Sequence, residues 1–307
     1  MSNYPPAIFI MGPTASGKTD LALALFDRFP CELISVDSAL VYRDMNIGTA
    51  KPSAEILAQY PHHLVDVIEP TDVFSAARFR DAALALMEQI TARGRMPVLV
   101  GGTMLYYRAL QHGLAELPDA NQNIREEMEV EAQRIGWQEM HARLALIDPE
   151  SAARIHPNDP QRIQRALEVY EITGRSLSDL YQQQKRDSHL PYNVTKIVVA
   201  PEDRAVLHER IAFRFKRMLN EGFIDEVVAL RARGDLNLSL PSMRAVGYRQ
   251  VWQHLDGDLS YDEMVEKGVV ATRQLAKRQF TWLRSETNVT WFDSQLPNLQ
   301  EKVLKSL

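Results

Sequence analysis

Short, mainly apolar runs recur along the chain at residues 7–11, 32–36, 63–67, 97–100, 195–200 and 289–292, each ending in polar or glycine-rich positions. Runs of this length without alternation predict strands covered on both faces, the pattern of a parallel sheet. Helical spacing of apolar positions separates the first four, most clearly over 76–93, so strand and helix alternate and the class is α/β. The pattern changes from about 117 to about 190, where no strand-like run occurs and apolar positions recur at helical spacing. Helices are predicted there over 121–134, 137–147, 160–173 and 176–184. Bounded by Pro118 and Pro191, this stretch reads as an all-helical insertion domain, 117–190, within a core built from 1–116 and 191–307. The block from 204 to 285 is again mostly helical, with breaks at Gly222, Gly234 and Asp256-Gly257. No internal repeat or low-complexity segment interrupts this plan.

Composition narrows the class. A chain of 307 residues that is 45% hydrophobic can bury a sizeable core. No apolar run approaches the roughly 20 residues of a membrane span, and residues 1–6 lack the charged and apolar regions of a signal peptide, so a cytoplasmic location is expected. The single cysteine, Cys31, excludes an intrachain disulfide and a cysteine-based metal site and is expected to be a small buried apolar residue. His62-His63 has no metal-ligand spacing. A net charge of −5 argues mildly against nucleic acid, but the charge is uneven. Residues 267–285 carry five basic side chains and no acidic one, whereas 116–131 hold six acids against Arg125 alone. A local basic surface on an acidic protein is therefore allowed.

Between the first apolar run and the helical stretch that starts at Leu21 lies Gly12-Pro13-Thr14-Ala15-Ser16-Gly17-Lys18-Thr19. A strand, a glycine-rich phosphate loop and a helix in this order turn successive backbone N–H groups onto an anion and add the positive end of the helix dipole. Lys18 would place a compact positive charge on terminal phosphates, and the Thr19 hydroxyl suits Mg²⁺. The fold expected is a P-loop NTPase-like parallel sheet core. The fate of the phosphate stays open between hydrolysis, phosphoryl transfer and loss of intact pyrophosphate.

Other constellations bear on that choice. Asp37 and Ser38 end the second strand, at the sheet edge where ligands bind in open α/β folds, and Asp37 suits a general base, a partner for Mg²⁺ or a helix cap. The fourth strand runs into Gly101-Gly102-Thr103 with no acid, whereas phosphate-loop ATPases and GTPases end a core strand in Asp. Close approach of a ligand to the backbone or a plain turn capped by Thr103 both fit. Arg210, Arg214 and Arg217 fall on one helix face and suit either a phosphate clamp or a solvated surface. Gln161-Arg162-Ile163-Gln164-Arg165 opens a helix with forked donors and amides, and Ser242-Met243-Arg244-Ala245-Val246-Gly247-Tyr248 adds small residues, an Arg and a Tyr. Arg273, Lys277, Arg278 and Arg284 with Phe280 and Trp282 form a basic, aromatic helix able to follow a nucleic-acid backbone.

Together these residues resemble the bacterial tRNA dimethylallyltransferases. The resemblance runs nearly end to end, through the phosphate loop, Val36-Asp37-Ser38-Ala39, Val41-Tyr42, Ile47-Gly48-Thr49-Ala50-Lys51-Pro52, Gly101-Gly102-Thr103, His156-Pro157-Asn158-Asp159, Gln161-Arg162, Arg165-Ala166-Leu167-Glu168, Val246-Gly247-Tyr248-Arg249-Gln250 and Thr272-Arg273-Gln274-Leu275-Ala276-Lys277-Arg278-Gln279. It implies that the loop holds the pyrophosphate of dimethylallyl diphosphate, which accounts for the missing strand-end acid. It further implies that Asp37 is the general base toward the N6 amine of the adenosine 3′ of the anticodon, and that Thr103 contacts the reacting end. Lys18, Thr19 with Mg²⁺, and Arg214 would stabilise the leaving pyrophosphate. The resemblance places tRNA against Asp37, Ser38, Ala39, Leu40, Thr103, Arg125, Gln161, Arg162, Ile163, Gln164 and Arg165. It adds Ser242, Met243, Arg244, Ala245, Val246 and Gly247, and Leu275, Ala276, Lys277, Arg278, Gln279, Phe280, Thr281 and Trp282. The helical insertion would clasp the anticodon stem-loop, and a monomer is expected.

Two departures stand out. Many relatives carry Gln where this chain has Leu40, and no Cys or His cluster follows Trp291, so the zinc-finger extension of eukaryotic relatives is not expected. A small-molecule kinase on the same loop, with the insertion as lid, is the alternative reading. It leaves the basic aromatic stretch around Lys277 unexplained. A GTPase-like RNA-binding switch ranks last, for want of the strand-end acid and a guanine-reading motif.

Overall fold

The computed structural model describes residues 4–114, 117–184 and 190–307. The expected core–insertion boundary at 116, and residues 185–189 of the insertion, lie outside them. The chain separates into two compact units, Met1–Leu110 with Pro191–Leu307, and Gln111–Leu190.

In the first unit β1 (Pro6–Met11), β2 (Cys31–Val36), β3 (His62–His63), β4 (Met96–Gly101), β5 (Asn193–Ala200) and β6 (Val289–Asp293) form one parallel sheet, ordered β3-β2-β4-β1-β5-β6. The helices in chain order are α1 (Lys18–Phe26), α2 (Ala54–Gln59), α3 (Ala76–Ala92) and α4 (Met104–His112), then in the second unit α5 (Gln122–Ile135), α6 (Trp137–Ile147), α7 (Pro149–Arg154), α8 (Pro160–Thr173) and α9 (Leu177–Gln184). The first unit resumes with α10 (Arg204–Asn220), α11 (Phe223–Ala232), α12 (Tyr248–Leu255), α13 (Tyr261–Leu283) and α14 (Leu299–Leu304).

The continuous apolar runs are explained by burial on both faces. Ile8, Ile10, Leu33, Val98, Val100, Ile197 and Val199 pack with Leu21, Leu25 and Val303, from α1 and α14, on one side. Phe9 points the other way onto Tyr107 of α4, ring centroids 5.0 Å apart. The Tyr107 hydroxyl donates to the carbonyls of Ile10 (3.1 Å) and Leu99 (3.0 Å), so this core aromatic leaves no polar group unpaired. Cys31 is fully buried in the first cluster, and burial pushes its thiol up to about 11.

Two expectations fail locally. The run 63–67 becomes a strand only at His62–His63, because Leu64 and Asp66 adopt left-handed backbone (φ 63° and 54°) that no strand accommodates. In the second unit α7 appears where no helix is predicted. Asp148 caps it by accepting from Ser151 N–H at 2.9 Å, and Pro149 occupies the first turn.

The second unit has its own apolar centre of Met128, Met140, Leu144, Ile163, Leu167 and Val169. Among the described residues it contains no strand, and in the whole chain no described helix is long and apolar enough to cross a membrane.

Candidate active site

The carboxyl ends of β1, β4 and β2 lie side by side, since Gly101 is in register with both Met11 and Val36. Three turns therefore converge on one cavity of about 1520 Å³. The loop after β1 carries left-handed backbone at Ala15 (φ 62°) and Gly17 (φ 87°), which turns neighbouring N–H groups toward a common centre. Lys18 opens α1 and donates to Pro13 O at 2.6 Å. Burial lowers its pKa to about 8, with Asp37 opposing the shift and Arg214 adding to it. Ser16 of the loop and Ser35 of β2 line the cavity, both almost wholly buried and without a hydrogen-bond partner.

At the end of β2, Asp37 Oδ1 accepts from the amides of Ala39 (2.8 Å) and Leu40 (3.3 Å). Those bonds fix the carboxylate on the cavity wall, so turn capping and a chemical role are compatible rather than exclusive. After β4, Thr103 N donates to Val36 O (3.1 Å) and Thr103 Oγ1 accepts from Ser38 N (3.0 Å), which ties the two strand ends together.

The opposite wall comes from α10 and the turn after Met45. Of the three arginines expected on one face of α10, only Arg214 reaches the loop. Its guanidinium donates to Thr14 Oγ1 (3.5 Å) and Thr49 O (3.3 Å), whereas Arg210 reaches Ser294 Oγ (2.9 Å) and Arg217 pairs with Glu221 (3.3 Å).

Sequence reasoning missed Glu226 of α11, whose carboxylate accepts from the backbone N–H groups of Asn46 (2.9 Å), Ile47 (2.7 Å) and Gly48 (3.2 Å) and from Tyr248 Oη (2.6 Å). This holds the segment whose Ile47, Gly48 and Thr49 line the cavity. No motif announces Glu226, although the turn it supports stands out in the sequence.

One face of α13 completes the cavity. Thr272, Leu275, Arg278, Gln279 and Trp282 line it at helical spacing, and the Arg108 guanidinium sits 5.4 Å over the Trp282 ring. Ser38, Ala39, Leu40, Arg244, Ala245 and Val246 also face this space. Other residues expected against RNA do not line this cavity. Ser242 and Met243 are fully buried, with Ser242 Oγ donating to Pro70 O (2.5 Å); Gly247 is a buried cap of α12; and Ala276 and Phe280 pack inside. Lys277 and Thr281 are exposed.

In the second unit Arg125 and Arg165 converge on the wholly buried Glu168, at 2.9 and 2.6 Å. Burial pushes the Glu168 carboxyl up, but the two guanidinium bonds and the Asn121 amide outweigh it and hold it below the ordinary value. Arg165 also donates to Pro118 O and Gln164 to Arg125 O, so these expected RNA contacts brace the unit, and Ile163 is in its core. Gln161 and Arg162 are exposed at the start of α8, where Asp159 both caps the helix and pairs with Arg162.

The sequence model of IPP transferases matches residues 40–286. The chain belongs to the IPP transferase family. Among solved structures, a tRNA isopentenylpyrophosphate transferase of Bacillus halodurans is 40% identical, with a TM-score of 0.71 over 98% of this chain and 94% of that one. A tRNA delta(2)-isopentenylpyrophosphate transferase of Staphylococcus epidermidis is 33% identical, with a TM-score of 0.70 over 98% of each. A eukaryotic dimethylallyltransferase described as acting on tRNA is 24% identical and shares the fold, with a TM-score of 0.78 over 94% of this chain and 74% of that one. The IPP transferase match spans both units and ends just beyond α13.

Proposed function

We propose that this IPP transferase moves a dimethylallyl group from dimethylallyl diphosphate to N6 of the adenosine immediately 3′ of the anticodon, in tRNAs reading codons that begin with U. The observation that carries the reading is that a phosphate-binding loop, a strand-end carboxylate and a basic, aromatic helix face line one cavity. A nucleotide hydrolase or kinase needs a group to activate water or an acceptor hydroxyl beside a γ-phosphate. Here β4 ends instead in Gly101-Gly102-Thr103, which suits displacement of an intact diphosphate, and the kinase reading is set aside.

In this scheme the loop amides of 15–19, Lys18 and Arg214 hold the diphosphate and take up the charge that grows on it as the allylic C–O bond breaks. The adenine N6 forms the new bond to that carbon, pyrophosphate leaves with the electron pair, and Asp37 accepts the amine proton. Thr103, locked to Ser38, fixes the turn that carries Asp37. The target base is extruded from the anticodon loop to reach this depth, at a cost of a few kcal/mol. Trp282, Arg278 and Arg244 offer an aromatic face and two cations where the RNA enters, while Arg162 and Gln161 supply contacts from the helical unit, which clasps the stem-loop.

The donor set fits a hard divalent cation. Thr19, Asp37 and the unpartnered hydroxyls of Ser16 and Ser35 are all oxygen donors on this cavity, and among the described residues no cluster of three His, Cys, Asp or Glu is placed to hold a metal alone. Thr19 would ligate Mg²⁺ shared with the diphosphate, and the ion would neutralise the leaving group. A cytoplasmic monomer fits this activity. The test is transfer of label from radiolabelled dimethylallyl diphosphate to a synthetic anticodon stem-loop in the presence of Mg²⁺. Label confined to the adenosine 3′ of the anticodon, and lost in Asp37→Ala, is expected; ATP consumption without labelled RNA refutes the reading.

A further inference from the structure

Gln279 stands among the residues expected to touch RNA, yet its side chain is turned inward. It is 9% exposed, and each end of its amide is engaged by backbone. Gln279 Oε1 accepts from Thr14 N–H at 2.9 Å, inside the phosphate loop, and Nε2 donates to Gly102 O at 2.9 Å, in the turn that carries Thr103. Because one partner is an N–H and the other a carbonyl, the orientation of the amide is fixed by chemistry. The site is also shaped for it, since a Cβ at Gly102 would lie 2.4 Å from Gln279 Nε2. Its amide both donates and accepts, so one side chain satisfies an N–H of one turn and a carbonyl of the other. The span that Gln279 sets is the one that matters for transfer. On one side is the cradle of the leaving group. On the other, Thr103 and Ser38 continue to the turn of Asp37.

We propose that Gln279 is a positioning residue, which holds the diphosphate cradle and the base-bearing turn at their working separation. The inference rests on the transfer reading above. A misplacement of about 1 Å is enough to lower a rate about a hundredfold, with binding little changed.

The test compares Gln279→Met, which fills the space and loses both bonds, with Gln279→Glu, which keeps the acceptor and loses the donor. Gln274→Met, exposed on the same helix, serves as control. Thermal melting establishes that each variant folds. Gln279→Met is expected to lower kcat about a hundredfold and Gln279→Glu by less, with KM for the diphosphate and affinity for the stem-loop within about threefold of the parent and Gln274→Met unchanged. Hydrogen exchange at the Thr14 amide, measured without substrates, should quicken at least tenfold in Gln279→Met. A tenfold loss of RNA affinity at constant kcat would make Gln279 an RNA contact and overturn the proposal, as would unchanged Thr14 exchange. A parent protein that transfers no prenyl group, with fast Thr14 exchange in Gln279→Met, would sink the functional reading while leaving the brace itself in place.

Discussion

If Lys18 meets the diphosphate as proposed, binding is a proton-linked event. Burial lowers its pKa from 10.5 to about 8 in the free protein, with Asp37 resisting and Arg214 assisting. At pH 8.5 such a group is about three-quarters neutral, and at pH 7 about one-tenth neutral. A diphosphate brought against it favours the cation and restores the ordinary pKa. Binding should therefore take up about 0.7 protons at pH 8.5 and about 0.1 at pH 7, and affinity should fall up to about tenfold per pH unit above 8. For the free protein the sign is opposite. A depressed lysine pKa costs stability most fully below about 8, and the cost is relieved as pH rises toward 10.5, because the unfolded chain then binds the extra proton. The assay is titration calorimetry with dimethylallyl diphosphate in two buffers of different ionisation enthalpy. Lys18→Arg is the control, because a guanidinium stays charged and reports only the ligand's own protonation. Equal proton uptake by parent and Lys18→Arg at the higher pH would refute the assignment of Lys18 to the diphosphate.

Glu168→Gln leaves Arg125 and Arg165 without their shared carboxylate and should destabilise the helical unit by about 3 kcal/mol, read from denaturant midpoints. The parent should lose this contribution as pH falls through the depressed Glu168 pKa, below 4.5. Arg162→Ala should weaken stem-loop affinity and reduce the slope of log K against log salt by about one, with melting unchanged, whereas Arg165→Ala should lower stability first. Glu226→Gln turns an amide toward the N–H groups of 46–48 and should cost about 1–3 kcal/mol, seen as weaker diphosphate binding through the displaced Thr49 carbonyl and Arg214.

The parallel sheet was readable because buried strands are continuous apolar runs and the helical stretches between them set its direction. Five of the six runs became strands of at least five residues, and the sixth failed on two left-handed residues that carry no composition signal. The phosphate loop, Asp37 and Thr103 were legible because sheet topology obliges strand ends to meet at one edge. Long-range side-chain partners were not. Whether an arginine on a helix faces solvent, a phosphate or a buried carboxylate depends on what another element presents. Arg214 and Arg165 look alike in sequence, and only the fold sends one to the loop and the other to Glu168. The partners of Gln279 and Glu226 escaped for the same reason, since those of Gln279 lie 177 and 265 residues away and those of Glu226 up to 180.

The sheet order has a consequence for biosynthesis. β1 emerges first, yet its two neighbours are β4 and β5, and β5 begins only at Asn193, after the whole helical unit. Until then one edge of the central strand has bare N–H and C=O groups, a template for aggregation. At the usual 5–20 residues per second this interval lasts on the order of 10–40 s, while the helical unit, whose contacts are local, can fold within it. The nascent chain thus carries its phosphate loop long before it has the strand that stabilises it, and protection by a chaperone is expected to be needed in that window.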